Sequence, residues 1–264
     1  MKEILISRID VSKGTVEQKK DHIAEETPLH ILLNKTHYAT ILCTPSKLKE
    51  LVIGHLISEG ILKTVDEIRE ISLEPNGKCQ VKMKSNIDTE KRIPMSRPFA
   101  RLIVSACGSP DSWPITKLMD RLNLPRVPNS IVKAKVILES VKELNRIAET
   151  FRKTGGVHIA ALYSAGGDLM AFAEDVGRHN AVDKVIGSGI SKGTKFEGCF
   201  LALSGRLTGD IVLKCVRMRI PIVASLAAAI NSGVDVAQRT GITLVGFVRG
   251  KRMNIYTYPE RITY

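Results

Sequence analysis

Four short polar stretches in the second half of this 264-residue chain collect the residue types that hold anions. They read EDVGRHN from Glu174, SGRLTGD from Ser204, SLAAAINSG from Ser225 and RGKR from Arg249. Gly177, Gly205, Gly209 and Gly233 let backbone N–H groups approach a ligand with no Cβ in the way. Arg178, Arg206, Arg249, Lys251 and Arg252 supply positive charge, and an arginine fork matches a phosphate in bidentate fashion. Asp175 and Asp210 can orient those arginines or accept hydrogen bonds from a ribose or a base, with His179 and Asn180 beside them. The chemistry indicated is recognition of a phosphate-rich nucleotide ligand. Taken singly, each stretch also fits a solvated turn, and His179 equally fits a surface or capping residue.

A second chemistry is open to Cys107. In LIVSACGSPDSW it follows an apolar run and enters a Gly- and Pro-containing loop, where a thiol is accessible. Its reactivity would need a thiolate stabilised by a nearby cation or dipole. Structural and reactive readings of Cys107 stand level on these grounds. Cys43 and Cys79 lie in strand-like runs, Cys199 opens an apolar strand and Cys215 sits among aliphatic helix residues. Those four read as small packed hydrophobes.

The elements that must position these groups follow from the hydrophobic pattern. LHILLN and HYATILC read as strands about Lys35, and SKLKELVIGHLISEG as a helix with Ser46 as N-cap and Gly60 as stop. EIREISLE and KCQVKMK alternate about PNG, a hairpin signal. Between Ser85 and Asn129 the pattern is poor and prolines accumulate, so an irregular region with one short helix is expected. Ser130 to Lys153 reads as one amphipathic helix ended at Gly155-Gly156. Beyond it, VHIAALYS and LMAFAED form a hairpin across AGGD. Helices at 178–188, 208–218 and about 232–240 then alternate with the strands CFLALS, PIVAS and ITLVGFV, before a last strand MNIYTY. This order predicts a largely parallel sheet with helices on both faces. Ligands of such sheets bind beyond the carboxyl ends of the strands, so the four polar stretches are expected on one rim. The domain boundary falls at PRVPN, giving a smaller N-terminal α+β domain (1–128) and a C-terminal α/β domain (129–264).

Composition narrows the classes. The chain is 44% hydrophobic and 25% charged, ordinary values for a globular protein. No apolar run reaches the roughly 18–20 residues of a membrane span, and the N-terminus lacks a signal-peptide core; a cytoplasmic protein is expected. Its net charge of +12 favours anionic partners without choosing among them. Nucleic acid is disfavoured because no nucleic-acid-binding motif accompanies the charge. Five cysteines with no C-x-x-C argue against a disulfide framework and a zinc knuckle. Zinc deamination needs H-x-E and P-C-x-x-C, and neither is present. The glycine signatures of P-loop and standard Rossmann proteins are missing, as is G-x-S-x-G.

TGGVHIAAL, EDVGRHNAVDKVIG, LSGRLTGDIVLK and VGFVRGKRMNIYTYPERI, with ETPLHILLN and LVIGHLISEGIL before them, resemble the formate dehydrogenase accessory sulfurtransferase family (FdhD). The resemblance runs from about Glu26 to Ile262. It implies a C-terminal three-layer domain of cytidine-deaminase-like fold without the deaminase zinc. It implies sulfur transfer from a cysteine desulfurase, through a cysteine persulfide, to molybdenum or tungsten bis-molybdopterin guanine dinucleotide, which activates formate dehydrogenase. That cofactor is a bound substrate. The resemblance places its binding at Phe247, Val248, Arg249, Gly250, Lys251 and Arg252, alongside the rim residues above, and implies a homodimer. Cys107 matches the family's sulfur carrier. The family loop commonly reads C-G-x-C, whereas Pro110 stands at the second cysteine here. A lone cysteine can still accept and release sulfur. The alternative is a cofactor-binding chaperone without sulfur chemistry.

Overall fold

The computed structural model describes residues 1–85, 87, 92 and 126–264. Cys107 and Pro110 lie outside the described residues, as does most of the segment expected to be irregular.

Strands β1 (Lys2–Asp10) and β2 (Thr15–Ile23) pair antiparallel as a sheet of their own. Strands β3 (Thr27–Leu33), β4 (Thr36–Cys43), β5 (Ile68–Leu73) and β6 (Lys78–Met83) form a second sheet in the order β4-β3-β6-β5. Helix α1 (Leu48–Ser58) packs Leu51, Val52 and Leu56 with Leu29, Ile31 and Val81 of that sheet in one apolar core. The sequence suggests a single apolar stripe for α1, yet every residue from Leu51 to Ser58 is buried. The reason is a second neighbour on its other side, described below. Ser46 does not cap the helix. Lys47 occupies the N-cap in a left-handed conformation, φ 50°, with no side-chain cap, and its ammonium donates to the Phe172 carbonyl.

The expected single helix from Ser130 is preceded by a short strand β7 (Val132–Lys133) and splits into α2 (Ala134–Ile147) and α3 (Glu149–Thr154). Ala148, at φ −84° and ψ 90°, breaks it. The break is stabilised from a distance: Glu174 accepts hydrogen bonds from the backbone N–H groups of Thr150 and Phe151 at 3.2 and 2.6 Å. A carboxylate thus satisfies the orphan donors at the start of α3. Gly155 closes α3 with φ 63°, the left-handed cap the sequence suggests.

The remaining elements are β8 (His158–Ser164), β9 (Leu169–Asp175), α4 (Arg178–Ser191), β10 (Cys199–Leu203), α5 (Gly209–Arg217), β11 (Ile222–Ser225), α6 (Asn231–Thr240), β12 (Thr243–Arg249), β13 (Arg252–Ile255) and β14 (Ile262–Thr263). Their main sheet has the order β13-β12-β11-β10-β8-β9. It is mixed, not largely parallel: only β10–β11 and β11–β12 are parallel pairs. The β8–β9 and β12–β13 links are direct hairpins, and a short hairpin joins only antiparallel strands. Helices α4, α5 and α6 cover one face, through residues such as Val185, Val212 and Val236, while α2 covers the other with Ile137, Val141 and Leu144.

The mixed topology leaves the rim intact. β8 is antiparallel to both β9 and β10, so β9 runs with β10, β11 and β12. All four polar stretches therefore leave the sheet at one edge.

Candidate functional site

The stretch from Glu174 to Gly187 divides between framework and rim. Asp175 is wholly buried. Its carboxylate meets the Lys184 ammonium at 2.5 Å and accepts from Thr44 N at 3.0 Å, Gly177 N at 2.8 Å and Asn180 Nδ2 at 2.9 Å. Asn180 also donates to the Leu42 carbonyl at 2.8 Å, and Lys184 to that of Thr44 at 2.8 Å. Asp175, Asn180 and Lys184 thus fasten the start of α4 to the end of β4. The structure turns Asp175 inward, where it shapes the loop and does not orient a rim arginine.

A second buried cluster lies further along α4. Asp183 accepts from Ser58 Oγ at 2.6 Å and from Lys214 Nζ at 2.9 Å, and its other oxygen lies 3.1 Å from His55 Nδ1. Lys214 also reaches Glu59 at 2.6 Å, and Arg217 donates to the Ser58 carbonyl at 2.6 Å. Helices α1, α4 and α5 meet in this cluster. Burial alone would raise the carboxyl of Asp183. Lys214, His55 and Ser58 outweigh it and hold the group well below the usual carboxylate range. Glu59 falls likewise to about 2, burial being overcome by Lys214 and His55. Burial would lower Lys214, but Asp183 and Glu59 raise it above the ordinary lysine value. The consequences for stability have opposite signs. The depressed carboxylates stabilise the fold above their unfolded values, and that contribution is lost as the pH falls from about 4 toward 2. Raised Lys214 stabilises below its unfolded value, and its contribution goes as the pH climbs beyond the usual lysine range. Denaturant midpoints from pH 6 to pH 2 should fall steeply for the natural protein and less steeply for Glu59→Gln.

The rim begins where this framework ends. Counting back one turn from each member of the Asp183–Lys214 pair gives His179 and Asp210, and these also pair, with His179 Nε2 2.5 Å from Asp210 Oδ2. Helices α4 and α5 are thus joined by two successive acid–base pairs, with the acid on α4 in one and on α5 in the other. Burial would raise Asp210, but the hydrogen bond from His179 holds its carboxyl well below the usual range.

Arg178 and His158 stand beside this pair. The Nε of Arg178 is buried and has no hydrogen-bond partner among the described residues. A Cβ on Gly205 would lie 3.1 Å from Arg178 Cβ and 3.7 Å from His158 Nδ1, so only glycine fits there without pushing the neighbours. Gly177 is under the same constraint from Asn180 Nδ2, 2.8 Å from a notional Cβ. Gly209 opens α5 and donates its N–H to Ser232 Oγ at 3.2 Å. The imidazole of His158 is held below its ordinary value, by burial first and then by Arg178, His179 and Arg206. His158 and Ser204 line a cleft of about 430 Å³ whose other walls are Phe151, Gly155, Gly156, Val157, Val176 and Leu226.

The β12–β13 hairpin supplies the rest of the rim. Phe247 is exposed and sits at φ 50°, a strained conformation for an aromatic residue, where the register of β12 and β13 slips. The Arg249 guanidinium lies 5.6 Å from its ring centre and donates to the Leu226 carbonyl at 3.1 Å. Leu226 thereby connects the hairpin to the His158 cleft. Arg206, Lys251 and Arg252 are exposed, and Gly250, at φ 60°, turns the hairpin. Val248 is buried in the core, so its side chain does not reach the rim. His158 escapes a sequence reading that looks for cations after strands, because it begins a strand. The Gly155-Gly156 pair just before it is the available signal.

Four of the five cysteines are described, and all four are buried. Burial pushes the thiols of Cys43 and Cys79 up to about 11 and that of Cys215 to about 12, and it raises Cys199 as well. None of these four is a thiolate near neutral pH.

Polar loops gathered at one end of a mixed sheet define an α/β protein with a rim rich in arginine and glycine. The chain belongs to the FdhD/NarQ family, whose model matches residues 24–263. It is 36% identical over 264 residues to the sulfur carrier protein FdhD of Methanothermobacter thermautotrophicus, covering 99% of this chain and 98% of that one. With the sulfur carrier protein FdhD of Sulfolobus acidocaldarius it shares 36% identity over 97% of this chain and 98% of the other. The crystal structure of a candidate formate dehydrogenase accessory protein from Desulfotalea psychrophila superposes with a TM-score of 0.78, at 30% identity and 99% coverage of both chains.

Proposed function

We propose that this protein is a sulfurtransferase of the cytoplasm that moves sulfur from a cysteine desulfurase, by way of a Cys107 persulfide, to bis-molybdopterin guanine dinucleotide, and so activates formate dehydrogenase. Two domains, 1–128 and 129–264, divide the work. Separate apolar cores around α1 and around the main sheet support that division. The C-terminal domain, in the deaminase-like arrangement, holds the cofactor as a substrate. Its rim suits the pyrophosphate links of such a ligand. Arg178 offers a buried Nε donor with no partner among the described residues, and Arg249 offers a cation over an exposed ring. The protein is expected to work as a homodimer.

The observation that carries the sulfur chemistry is the burial of Cys43, Cys79, Cys199 and Cys215 as protonated thiols, which leaves Cys107 for the task. In the loading step its thiolate attacks the outer sulfur of the donor persulfide. A new S–S bond forms on Cys107, the donor S–S bond breaks, and the donor cysteine leaves as a thiolate, with no net oxidation. On delivery the acceptor supplies the electron pair for a bond to the outer sulfur, the S–S bond on Cys107 breaks, and Cys107 leaves as a thiolate. Neither step needs a second loop thiol, so Pro110 is compatible with both.

Peptide mass spectrometry after incubation with cysteine and a cysteine desulfurase tests this. The Cys107 peptide should gain sulfur, and Cys107→Ala should gain none while still binding a guanine nucleotide. Nucleotide binding without any sulfur on Cys107 would instead establish a chaperone that delivers the cofactor without sulfur chemistry.

A further inference from the structure

The cleft beside His158 is assembled by the rim itself. Val176, Ser204 and Leu226 each come from one of the polar stretches that leave the sheet after β9, β10 and β11. The fourth stretch is tied on by Arg249, whose Nε donates to the Leu226 carbonyl at 3.1 Å. Glu174 fixes a further wall, because its carboxylate accepts from the N–H of Phe151 at 2.6 Å and Phe151 lines the cleft. Phe151, Val176 and Leu226 are half-buried, so each still presents apolar surface. Among the described residues no lysine, arginine or carboxylate lines the cleft. Cations adjoin it instead. Arg178, with its buried Nε unpaired among the described residues, packs with His158 around Gly205, and Arg249 is held at Leu226.

An uncharged cleft between cations suits one part of a nucleotide and not the other. Phosphate oxygens among apolar side chains would lose their water without gaining a partner. A flat ring gains by burial, and a volume of about 430 Å³ is that of an ordinary small-molecule site. Resting on the cofactor reading above, we propose that the cleft seats the uncharged fused ring of that substrate while its pyrophosphate stays outside with Arg178 and Arg249. The ring is the 2-amino-4-oxopyrimidine-fused bicycle common to guanine and pterin. Its edge carries N–H donors and a carbonyl acceptor, and the two polar side chains of the cleft match both. Ser204 Oγ accepts from Ile159 N at 2.9 Å and keeps its own O–H to donate. His158 makes no side-chain hydrogen bond among the described residues, and a neutral imidazole offers one donor and one acceptor. Phe151 adds an aromatic surface, and stacking of a base on such a ring is worth about tenfold or more in affinity.

The test is calorimetric titration of the full chain with GDP and with inorganic pyrophosphate, and fluorescence titration with free pterin. The natural protein should bind GDP at least about tenfold more tightly than pyrophosphate, or bind pterin, or both. Val176→Phe and Leu226→Trp fill the cleft from two different loops. Each should abolish the ring's contribution and leave pyrophosphate affinity unchanged, and Phe151→Leu should reduce that contribution without filling anything. Loss of the GDP margin assigns the cleft to guanine, and loss of pterin binding assigns it to pterin. A ring contribution that survives in both filled variants would overturn the proposal. So would an equal loss of GDP and pyrophosphate in all three variants, which would make the cleft a support for the rim. Binding of pyrophosphate by the natural protein, with no margin for GDP and no affinity for pterin, would also overturn it while leaving the phosphate-binding rim in place. Failure to bind any of the three would instead remove the cofactor reading, and this inference with it.

Discussion

Lys214→Ala should lower folding stability by about 3–5 kcal/mol, the usual cost of removing one partner from a buried ion pair. The cost arises because Asp183 stays behind, 1% exposed, with only His55 and Ser58 to stabilise its charge. Glu59 loses its 2.6 Å partner in the same step. Guanidinium denaturation measures the loss. Lys214→Met combined with Asp183→Asn should be milder than the two single losses added together, since no uncompensated charge then remains inside. Strict additivity would show that the two side chains do not depend on each other.

Gly187→Ala should be comparably severe for a steric reason. A Cβ there would fall 1.9 Å from the carbonyl oxygen of Glu50, on the backbone of α1. Gly54 is the reciprocal position, its notional Cβ 1.8 Å from the carbonyl oxygen of Asp183. Neither contact is with a flexible side-chain tip, so two helix backbones must separate before a methyl group fits. Overpacking in a core ordinarily costs about 1–3 kcal/mol. Here the separation would also stretch the Ser58–Asp183 hydrogen bond, which spans the same crossing, and the loss should exceed that range. Gly198→Ala is the control: nothing lies within 4 Å of its Cβ position, and its midpoint should be close to that of the natural protein. Similar losses at Gly187 and Gly198 would mean that close approach of the helices is not what glycine provides.

Much of this was legible in the sequence where the deciding forces are local. The strands about Lys35, the PNG and AGGD hairpins and the Gly155 cap each depend on residues a few positions apart, and each is found. The rim was also legible, because strand direction places loops whatever the detailed pairing. Features set by distant partners were not. Ala148 breaks a helix whose periodicity continues through it, because Glu174 supplies the cap from another strand. Nothing near Asp183 in the chain reveals that its partner is Lys214, or that Asp175 turns inward to Lys184. The acids of Glu174 to Gly187 look like ligand-binding groups because they are polar and sit at a helix mouth, and most of them hold the scaffold together. The N-terminal hairpin was invisible for a different reason. Its two strands pair along their whole length but leave Leu5, Ile9 and Val16 exposed, so no buried face imposes a clear alternation.

The contact between α1 and α4 also has a mechanical meaning. With glycine against carbonyl at two points and a charge cluster between them, the two helices have no slack in which to slide. α4 is gripped at Asp183 and Gly187 and begins at Arg178, little more than a turn before the grip. The start of α4 is held as well, by Asp175 and Asn180 to the end of β4 and by His179 to Asp210, so Arg178 and His179 ride on a helix that cannot shift without the N-terminal sheet moving with it.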